Sequence, residues 1–300
     1  MKISIIVPTL NEQEDLPKLL ESIKKQDFKG YEVIIADAGS TDDTKKIAKK
    51  YGCKIIKGGM PAVGRNAGAR VAQGEFLYFF DADVILPDDF LANSYIELQD
   101  RFLDLATCSM KPMSDVLMDE VLHRTMNTFF KLSQYTDAPK APGFCILISK
   151  RLFERAGGFD EEIKLAEDHE FVERAAAFRH LRVLFSTYIY VSVRRLEKEG
   201  RIGLSQKYLM AWPLQFWDSK IFKKDILEYK FADFKAKSDS RLEKGLLKMD
   251  KFLRDMNDEI DRRVEANTLT SGVVNRLTKN YNRYGSWFNG LIQRFLKRWD

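Results

Sequence analysis

The sequence predicts an α/β protein whose mainly parallel, twisted sheet carries helices on both faces. Three observations indicate this fold. Short β-rich runs alternate with amphipathic helical stretches over about the first 90 residues. Several of these runs end in small, amide or acidic residues, the place where open α/β sheets bind ligands. The chain has 300 residues and 45% hydrophobic content, enough for one large domain with an appendage or for two domains.

The predicted elements follow one another from the first residues onward. They are strand 2–7, helix 14–25, strand 31–36, a helix from Thr41 or Asp42 to about Tyr51, strand 53–56, a helix from Pro61 to Ala72, strand 76–80, strand 143–149, a helix opened by Glu167 and Asp168, and closing strands 181–186 and 188–193. An insert, residues 111–142, carries a helical stretch from Asp115 to Leu132. Strands that alternate with helices predict a mainly parallel sheet covered on both faces.

Two carboxylates, Asp81 and Asp83, directly follow the apolar run 76–80. Two aspartates held together are costly unless a cation lies between them. A hard divalent cation such as Mg²⁺ or Mn²⁺ fits, because it takes oxygen ligands and shares them with substrate phosphates. A bare D-x-D pattern is common, so the alternative is that both residues only end a strand and cap the helix that begins at Asp88.

Two other segments have residues suited to a nucleotide. Asp37 can accept a hydrogen bond from a ribose hydroxyl or a base N–H, and Gly39 and Ser40 let the backbone approach a ligand closely. Small residues around Arg65 suit a helix that packs tightly on a sheet and aims its cation at phosphate. The alternative for Arg65 is a surface salt bridge, since most arginines are exposed.

Four motifs, in this order, resemble the family 2 glycosyltransferases of the GT-A fold. They are Val7-Pro8-Thr9-Leu10-Asn11-Glu12, Asp37-Ala38-Gly39-Ser40-Thr41-Asp42, Gly64-Arg65-Asn66-x-Gly68 and Asp81-Ala82-Asp83. The resemblance implies a nucleotide-diphosphate-sugar donor, whose binding residues would be Pro8, Thr9, Asn11, Glu12, Asp37, Gly39, Ser40, Arg65 and Asn66. It also implies that Asp83 binds Mn²⁺ or Mg²⁺ directly, with Asp81 nearer the ribose or a metal-bound water.

The second half of the chain adds an acidic pair, Glu167-Asp168, at the start of a predicted helix. Carboxylates there favourably cap a helix, which is the structural alternative. The family pattern places the catalytic base at this pair, which implies Asp168 as base, Glu167 as its orienting neighbour, and inversion at the anomeric carbon. Arg194 and Arg195 resemble the family's R-R-x-x-x-x-G segment and predict a flexible loop over the diphosphate or an anionic acceptor. A solvated charge cluster is an equal alternative.

The composition changes at about residue 203, which predicts a catalytic domain 1–202 and a helical extension 203–300. Between Leu242 and Val264, apolar residues recur at alternating spacings of four and three, which predicts one long helix. A second helix after Gly272 has an aromatic, apolar side and a basic side, the pattern of a segment lying in a membrane interface. The alternative is a helical hairpin packed on itself, on the catalytic domain or on another subunit, so a homo-oligomer through 240–299 is a further expectation.

The resemblance implies a metal-dependent inverting glycosyltransferase with a hydroxyl or phosphate acceptor, which would be lipid-linked if the tail binds membrane. No signal peptide or apolar run of about 18 residues is present, and three cysteines are scattered, which predicts a cytoplasmic protein peripheral on the membrane face. One rival is a sugar-nucleotide nucleotidyltransferase, although residues 8–12 lack the Gly-rich loop of those enzymes. Another rival is a non-catalytic scaffold. Nucleic-acid binding is a weak alternative, because the basic residues of the tail follow a helix with an aromatic face and form no stacking platform on strands, and the net charge is only +5.

Overall fold

The computed structural model describes residues 1–163, 166–199, 201, 240–266 and 268–296. The chain divides into two compact units, residues 1–110 with 137–191, and residues 111–136 with 192–300. Residues 111–136 of the insert therefore belong to the same unit as the C-terminal helices, and residues 137–142 belong to the first unit. The domain boundary expected at residue 202 stays a prediction, and the aromatic segment 208–217 lies outside the described residues.

The predicted helices and strands occur in the predicted order, and the structure adds further elements between residues 84 and 156. In chain order they are β1 Ile3–Thr9, α1 Leu16–Lys24, β2 Tyr31–Asp37, α2 Thr44–Lys50, β3 Lys54–Lys57, α3 Pro61–Val71, β4 Phe76–Phe79, β5 Val84–Ile85, α4 Phe90–Asp100, β6 Leu105–Pro112, α5 Leu117–Ser133, β7 Ile146–Ser149, α6 Lys150–Ala156, α7 Glu167–Ala176, β8 Arg182–Val191, α8 Arg194–Glu199, α9 Ser240–Glu265 and α10 Ser271–Leu296. The two predicted closing strands are one continuous strand, β8. The strand expected from residue 143 begins only at Ile146, which leaves Gly143 in a loop.

The first unit is built on a mixed sheet of eight strands in the order β3-β2-β1-β4-β7-β6-β8-β5. Strands β1 to β4 pair in parallel, as predicted. Strand β7 runs antiparallel to both β4 and β6, and β5 runs antiparallel to β8. Because the first four strands are parallel, the loops after β1, β2 and β4 meet at one edge of the sheet, which is where ligands bind in such folds.

Helix α3 packs very closely on β1. A Cβ atom added to Gly68 would lie 2.3 Å from Ile6 Cγ2, and one added to Gly64 would lie 3.2 Å from Pro8 Cβ. Ile6 is fully buried in the core of the unit. The two glycines are four residues apart and so lie on one face of the helix, which lets the α3 backbone approach the strand. This contact positions Arg65 and Asn66 between the two glycines.

The second unit is a helical assembly in which α9 and α10 pack with the insert helix α5. The buried apolar and aromatic side chains described in α9 and α10 are Leu246, Met249, Leu253, Met256, Ile260, Val274, Leu277 and Tyr281. The Tyr281 hydroxyl donates to the Thr125 carbonyl at 2.9 Å, and Lys131 of α5 forms an ion pair with Asp261 at 2.6 Å. The first half of the α10 apolar face is therefore covered by protein, as the packed-hairpin alternative expects. The side chains of Phe288 and of residues 291–299 lie outside those the structure describes.

In the part of the chain that the structure describes, no helix combines the length and the apolarity needed to cross a bilayer.

Candidate active site

The loops after β1 and β2 are joined by hydrogen bonds around Asp37. This carboxylate is buried, and its Oδ1 accepts from the N–H groups of Gly39 and Ser40, both at 3.0 Å. Thr9 Oγ1 lies 3.4 Å from Asp37 Oδ2, and the Asn11 N–H donates to Ser40 Oγ at 2.9 Å. Five residues that the sequence predicts at a nucleotide site therefore form one connected group at the end of the parallel strands.

The backbone of these loops is held in conformations that few residues adopt. Gly39 has φ +100°, and Asn11 has φ 57°, in the left-handed region where asparagine is one of the more frequent residues. Asn11 Oδ1 accepts from the Thr41 N–H at 2.9 Å, and the Glu12 N–H donates to Thr44 Oγ1 at 2.8 Å. A Cβ atom on Gly39 would meet nothing within 4 Å, so this edge of the loop is open to a ligand.

A second group forms around Arg65, which is 3% exposed. Its Nη2 donates to Asp81 Oδ1 at 3.0 Å, and its Nη1 donates to Glu167 Oε1 at 2.8 Å. Burial by itself would lower the pKa of Arg65, but the charges of Asp81, Asp168 and Glu167 outweigh it, so the pKa lies above its ordinary value. Arg65 thus remains a cation and links the end of β4 to the start of α7.

Asp168 lies beside this cation and is held by backbone groups. Its Oδ2 accepts from the Gly143 N–H at 2.6 Å, and its Oδ1 accepts from the N–H of His169 at 2.8 Å. A Cβ atom on Gly143 would lie 2.7 Å from Arg65 Nη2 and 3.0 Å from Asp168 Oδ2, so a larger residue would displace both. The predicted base therefore has a fixed orientation.

Helix α7 begins directly after a strained residue. Ala166 has φ 61°, which is unfavourable for an alanine, and its side chain makes no capping hydrogen bond. The first turn contains Glu167, Asp168 and Glu170, whose charges favour a helix N-terminus. Backbone strain of this kind persists only where surrounding contacts enforce it. The contacts of Glu167 with Arg65 and of Asp168 with Gly143 are such contacts.

Asp81 and Asp83 lie in the turn between β4 and β5. The Asp81 side chain is 41% exposed, and Asp83 is half-buried. Within the described ranges, no group of three or more His, Cys, Asp or Glu residues could hold a metal ion. Two carboxylates nevertheless fit Mg²⁺ or Mn²⁺ when substrate phosphates complete the ligands. The donor set of this turn therefore suits a cation shared with a diphosphate.

Other predicted site residues have different surroundings. The Asn66 amide is bonded to the Phe159 backbone, accepting from its N–H at 2.9 Å and donating to its carbonyl at 2.8 Å. Arg194 and Arg195 begin helix α8 in the second unit, where a loop was predicted. Val193 and Leu196, three residues apart, are both buried, which favours a helix here over a loop. Roles in binding for Asn66, Arg194 and Arg195 stay predictions.

Sequence reasoning missed Gly143 and Ala166. Gly143 was placed in a strand, although the Pro142-Gly143 step is a turn signal that could have placed it in a loop. No local signal identifies Ala166, because alanine rarely adopts the left-handed conformation.

A family model described as "Glycosyl transferase family 2" matches residues 4–157. Among curated proteins, the poly(ribitol-phosphate) beta-N-acetylglucosaminyltransferase TarS of Staphylococcus aureus is 30% identical over 190 residues, 58% of this chain and 32% of its own length. The GalNAc(5)-diNAcBac-PP-undecaprenol beta-1,3-glucosyltransferase of Campylobacter jejuni is 40% identical over 91 residues, 27% of this chain and 29% of its own length. The chain thus spans about a third of the length of these relatives.

Solved structures share the fold. Residues 1–349 of S. aureus TarS, in complex with UDP-GlcNAc, match with a TM-score of 0.52 and 24% identity, covering 70% of this chain and 67% of that one. The mannosyltransferase PcManGT of Pyrobaculum calidifontis, in complex with GDP-Man and Mn²⁺, matches with a TM-score of 0.58 and 19% identity, covering 97% and 84%. These likenesses confirm the GT-A fold predicted for the chain.

Proposed function

The chain belongs to glycosyl transferase family 2, and we propose that it transfers a sugar from a nucleotide-diphosphate donor to a nucleophilic acceptor with inversion. The observation that carries this proposal is the group of charged residues at the sheet edge. Arg65, Asp81, Glu167 and Asp168 come from three separate parts of the chain and meet at the end of β4. The group lies at the same edge as the loops around Asp37, which offers one surface for a donor and a reacting hydroxyl.

The nucleoside would bind the loops after β1 and β2. Thr9, Asn11, Asp37 and Ser40 are already held by hydrogen bonds, so little conformational entropy is lost when a ligand binds there. The TarS structure contains UDP-GlcNAc and the PcManGT structure contains GDP-Man, both nucleotide sugars. These neighbours support a donor of the same chemical class, with its base and sugar left open.

Asp83 and Asp81 would hold Mn²⁺ or Mg²⁺. Three carboxylates lie around the single guanidinium of Arg65, so negative charge exceeds positive charge there before Asp83 is added. A divalent cation would reduce this excess and would supply charge neutralisation to the leaving diphosphate. The PcManGT structure contains Mn²⁺, which supports the same ion type.

Asp168 would be the catalytic base. One of its carboxylate oxygens takes the proton of the acceptor hydroxyl as that oxygen forms its bond to the anomeric carbon and the bond to the diphosphate breaks. Backbone N–H groups of Gly143 and His169 hold the carboxylate in one orientation, as proximity catalysis requires. In-line attack on the face opposite the leaving group inverts the configuration.

The acceptor is proposed to be a lipid-linked or phosphate-containing glycan. The names of the relatives specify poly(ribitol-phosphate) in one case and a diphosphate-linked undecaprenol in another. A phosphate acceptor is already a nucleophile and needs little help from a base, whereas a hydroxyl acceptor needs one. Transfer that survives Asp168→Asn but not Asp83→Asn would therefore indicate a phosphate acceptor.

The test begins with a screen of nucleotide sugars by thermal shift in the presence of Mn²⁺, because a bound donor stabilises the fold. Transfer is then measured for Asp83→Asn and Asp168→Asn, with Asp88→Asn as the control, since Asp88 is exposed in the following turn. We expect both site variants to lose about 100-fold or more and the control to keep wild-type rates. Wild-type transfer by both site variants would refute the proposal, and pyrophosphate release from a nucleoside triphosphate and a sugar phosphate would indicate a nucleotidyltransferase instead.

We also propose that the later part of α10 meets a membrane surface. Tyr284 and Trp287 are 39% and 38% exposed, and Tyr284 stacks on Phe252 of α9 at 3.6 Å. Removal of the whole helix would also remove the buried Tyr281 and would expose the surfaces of α5 and α9 on which the helix packs, so point variants are preferable. In flotation with anionic vesicles, Tyr284→Ser/Trp287→Ser should reduce binding, whereas Val116→Ser, which also changes an exposed apolar residue, should not. Equal flotation of both variants would count against the membrane contact.

A further inference from the structure

The geometry points to a role for Arg65 that differs from the contact with base or phosphate expected from the sequence. We propose that Arg65 is a positioning residue, which holds the metal-binding turn and the start of α7 in a fixed relation, and that it is not a ligand of the donor. This proposal rests on the glycosyl transfer proposed above, because it assigns Asp81 to the cation and Asp168 to the acceptor.

The first argument is access. The Arg65 side chain is 4% exposed, whereas Asp81, its partner at the end of β4, is 41% exposed. A donor phosphate can therefore approach Asp81 far more easily than the guanidinium behind it. Gly143 lies against the guanidinium, and a single added carbon there would come within 2.7 Å of Arg65 Nη2. The ring of Phe159 lies 5.4 Å from the guanidinium carbon.

The second argument concerns the hydrogen-bond partners of the two terminal nitrogens of Arg65. Nη2 bonds to Asp81 and Nη1 bonds to Glu167, so the two ends of one planar fork hold two different segments. A planar, rigid guanidinium fixes the directions of its two partners as well as neutralising their charge, whereas a lysine ammonium fixes no such directions. In the group of Arg65, Asp81, Glu167 and Asp168, the side chain that contacts both Asp81 and Glu167 is Arg65.

The third argument connects Arg65 to the proposed base. Glu167 is the first residue of α7 and Asp168 is the second, so fixing Glu167 also fixes the peptide that bears Asp168. The strained Ala166 directly before them would relax if this contact were lost. Release of Arg65 should therefore loosen the hydrogen bonds that Asp168 accepts from Gly143 and His169.

The test compares Arg65→Lys with wild type in three measurements: donor affinity in the presence of Mn²⁺ by calorimetry, kcat for transfer, and hydrogen exchange at the Gly143 and His169 amides. The matched control is Arg70→Lys, on the same helix but 64% exposed. We expect Arg65→Lys to lower kcat by about 10- to 100-fold, to change the donor Kd by less than about threefold, and to speed exchange at both amides. Arg70→Lys should leave all three unchanged.

A tenfold or greater loss of donor affinity, with normal kcat and normal exchange, would overturn the proposal and make Arg65 a donor ligand. The exchange measurement needs no substrate, so it decides on positioning even if no donor is transferred and the proposed function fails. If Arg65→Lys does not fold, Glu167→Ala breaks the same link from the less buried side. That variant should also speed exchange at His169, and unchanged exchange would refute the link.

Discussion

Replacement of Gly68 by alanine tests how closely helix α3 packs on strand β1. The added Cβ would lie 2.3 Å from Ile6 Cγ2 and 3.2 Å from Ile6 Cγ1. Carbon atoms in contact are normally at least about 3.5 Å apart, so helix and strand must separate by about 1.2 Å or Ile6 must change its rotamer. Ile6 is fully buried, which leaves its side chain little room to move.

The expected magnitude is the difference between two effects. Overpacking of a buried contact costs about 1–3 kcal/mol, and this contact is severe enough for the upper part of that range. Alanine in place of glycine inside a helix gains about 1 kcal/mol from helix propensity. We therefore expect Gly68→Ala to lower the free energy of unfolding by about 1–2 kcal/mol.

Two other helical glycines provide matched controls. Gly64, on the same helix, would place its Cβ 3.2 Å from Pro8 Cβ, a contact that a small shift relieves, so Gly64→Ala should be close to neutral. Gly285 in α10 has nothing within 4 Å of the added atom, so Gly285→Ala should stabilise by about 0.5–1 kcal/mol. The free energy of unfolding is measured by urea denaturation, and hydrogen exchange of β1 and α10 peptides reports the two units separately.

The relative free energies of unfolding of the three variants test the close packing of α3 on β1. If Gly68→Ala is as stable as Gly64→Ala or more stable than wild type, α3 does not pack on β1 as closely as the structure shows. A smaller loss in the double variant Gly68→Ala/Ile6→Ala than the sum of the single losses would locate the strain at Ile6.

Three further changes test the two units. Gly143→Ala should lower transfer activity more than tenfold and the free energy of unfolding by about 1–3 kcal/mol, because the added Cβ would displace Arg65 and Asp168. A normal kcat would contradict this prediction. Asp250→Asn should lower the free energy of unfolding, measured by urea denaturation, by about 1–3 kcal/mol, because Asp250 is buried between Arg124 and Arg254. The same change at the exposed Asp258 should have little effect. Equal effects of the two variants would contradict the ion pairs. Burial lowers the pKa of His123 below 6.5, so the unfolded chain binds its proton more tightly and thermal stability should fall as the pH drops below about 6.5. His123→Gln should flatten this dependence, and an unchanged pH profile would exclude His123 as its source.

The parts of the fold that depend on local patterns could be predicted from the sequence. The first four strands and their helices have clear hydrophobic periodicity, and the structure confirms their order and parallel pairing. Asp81 and Asp83 were identified as candidates because two carboxylates held together at the end of a strand are costly without a cation. The Glu167-Asp168 pair was identified from its resemblance to the family pattern. The contact of Arg65 with Glu167 could not be predicted, since 102 residues separate them and no local pattern in either segment identifies the other as its partner.

The second unit shows why an amphipathic sequence pattern does not identify what covers the apolar face of a helix. An apolar face on α10 is equally suited to a lipid surface and to another helix, because both exclude water. Its first half packs on α9 and on α5 of the insert, and the bonded residues Tyr281 and Thr125 are 156 residues apart. Tyr284 and Trp287 keep part of their surface exposed, so the membrane contact of the later half of the helix stays a proposal.

The motif Gly64-Arg65-Asn66-x-Gly68 can now be understood from its spacing. The two glycines face β1 and set the distance of the helix from the sheet. Arg65 and Asn66 lie on the flanks of that face, where Arg65 holds the acidic group and Asn66 holds the Phe159 backbone. A Cβ atom on Gly158 would come within 2.7 Å of Asn66 Oδ1, so that loop also approaches closely. A side chain at either glycine that moved the helix outward would move both anchors together, which explains why the packing residues and the polar residues occur in one short motif.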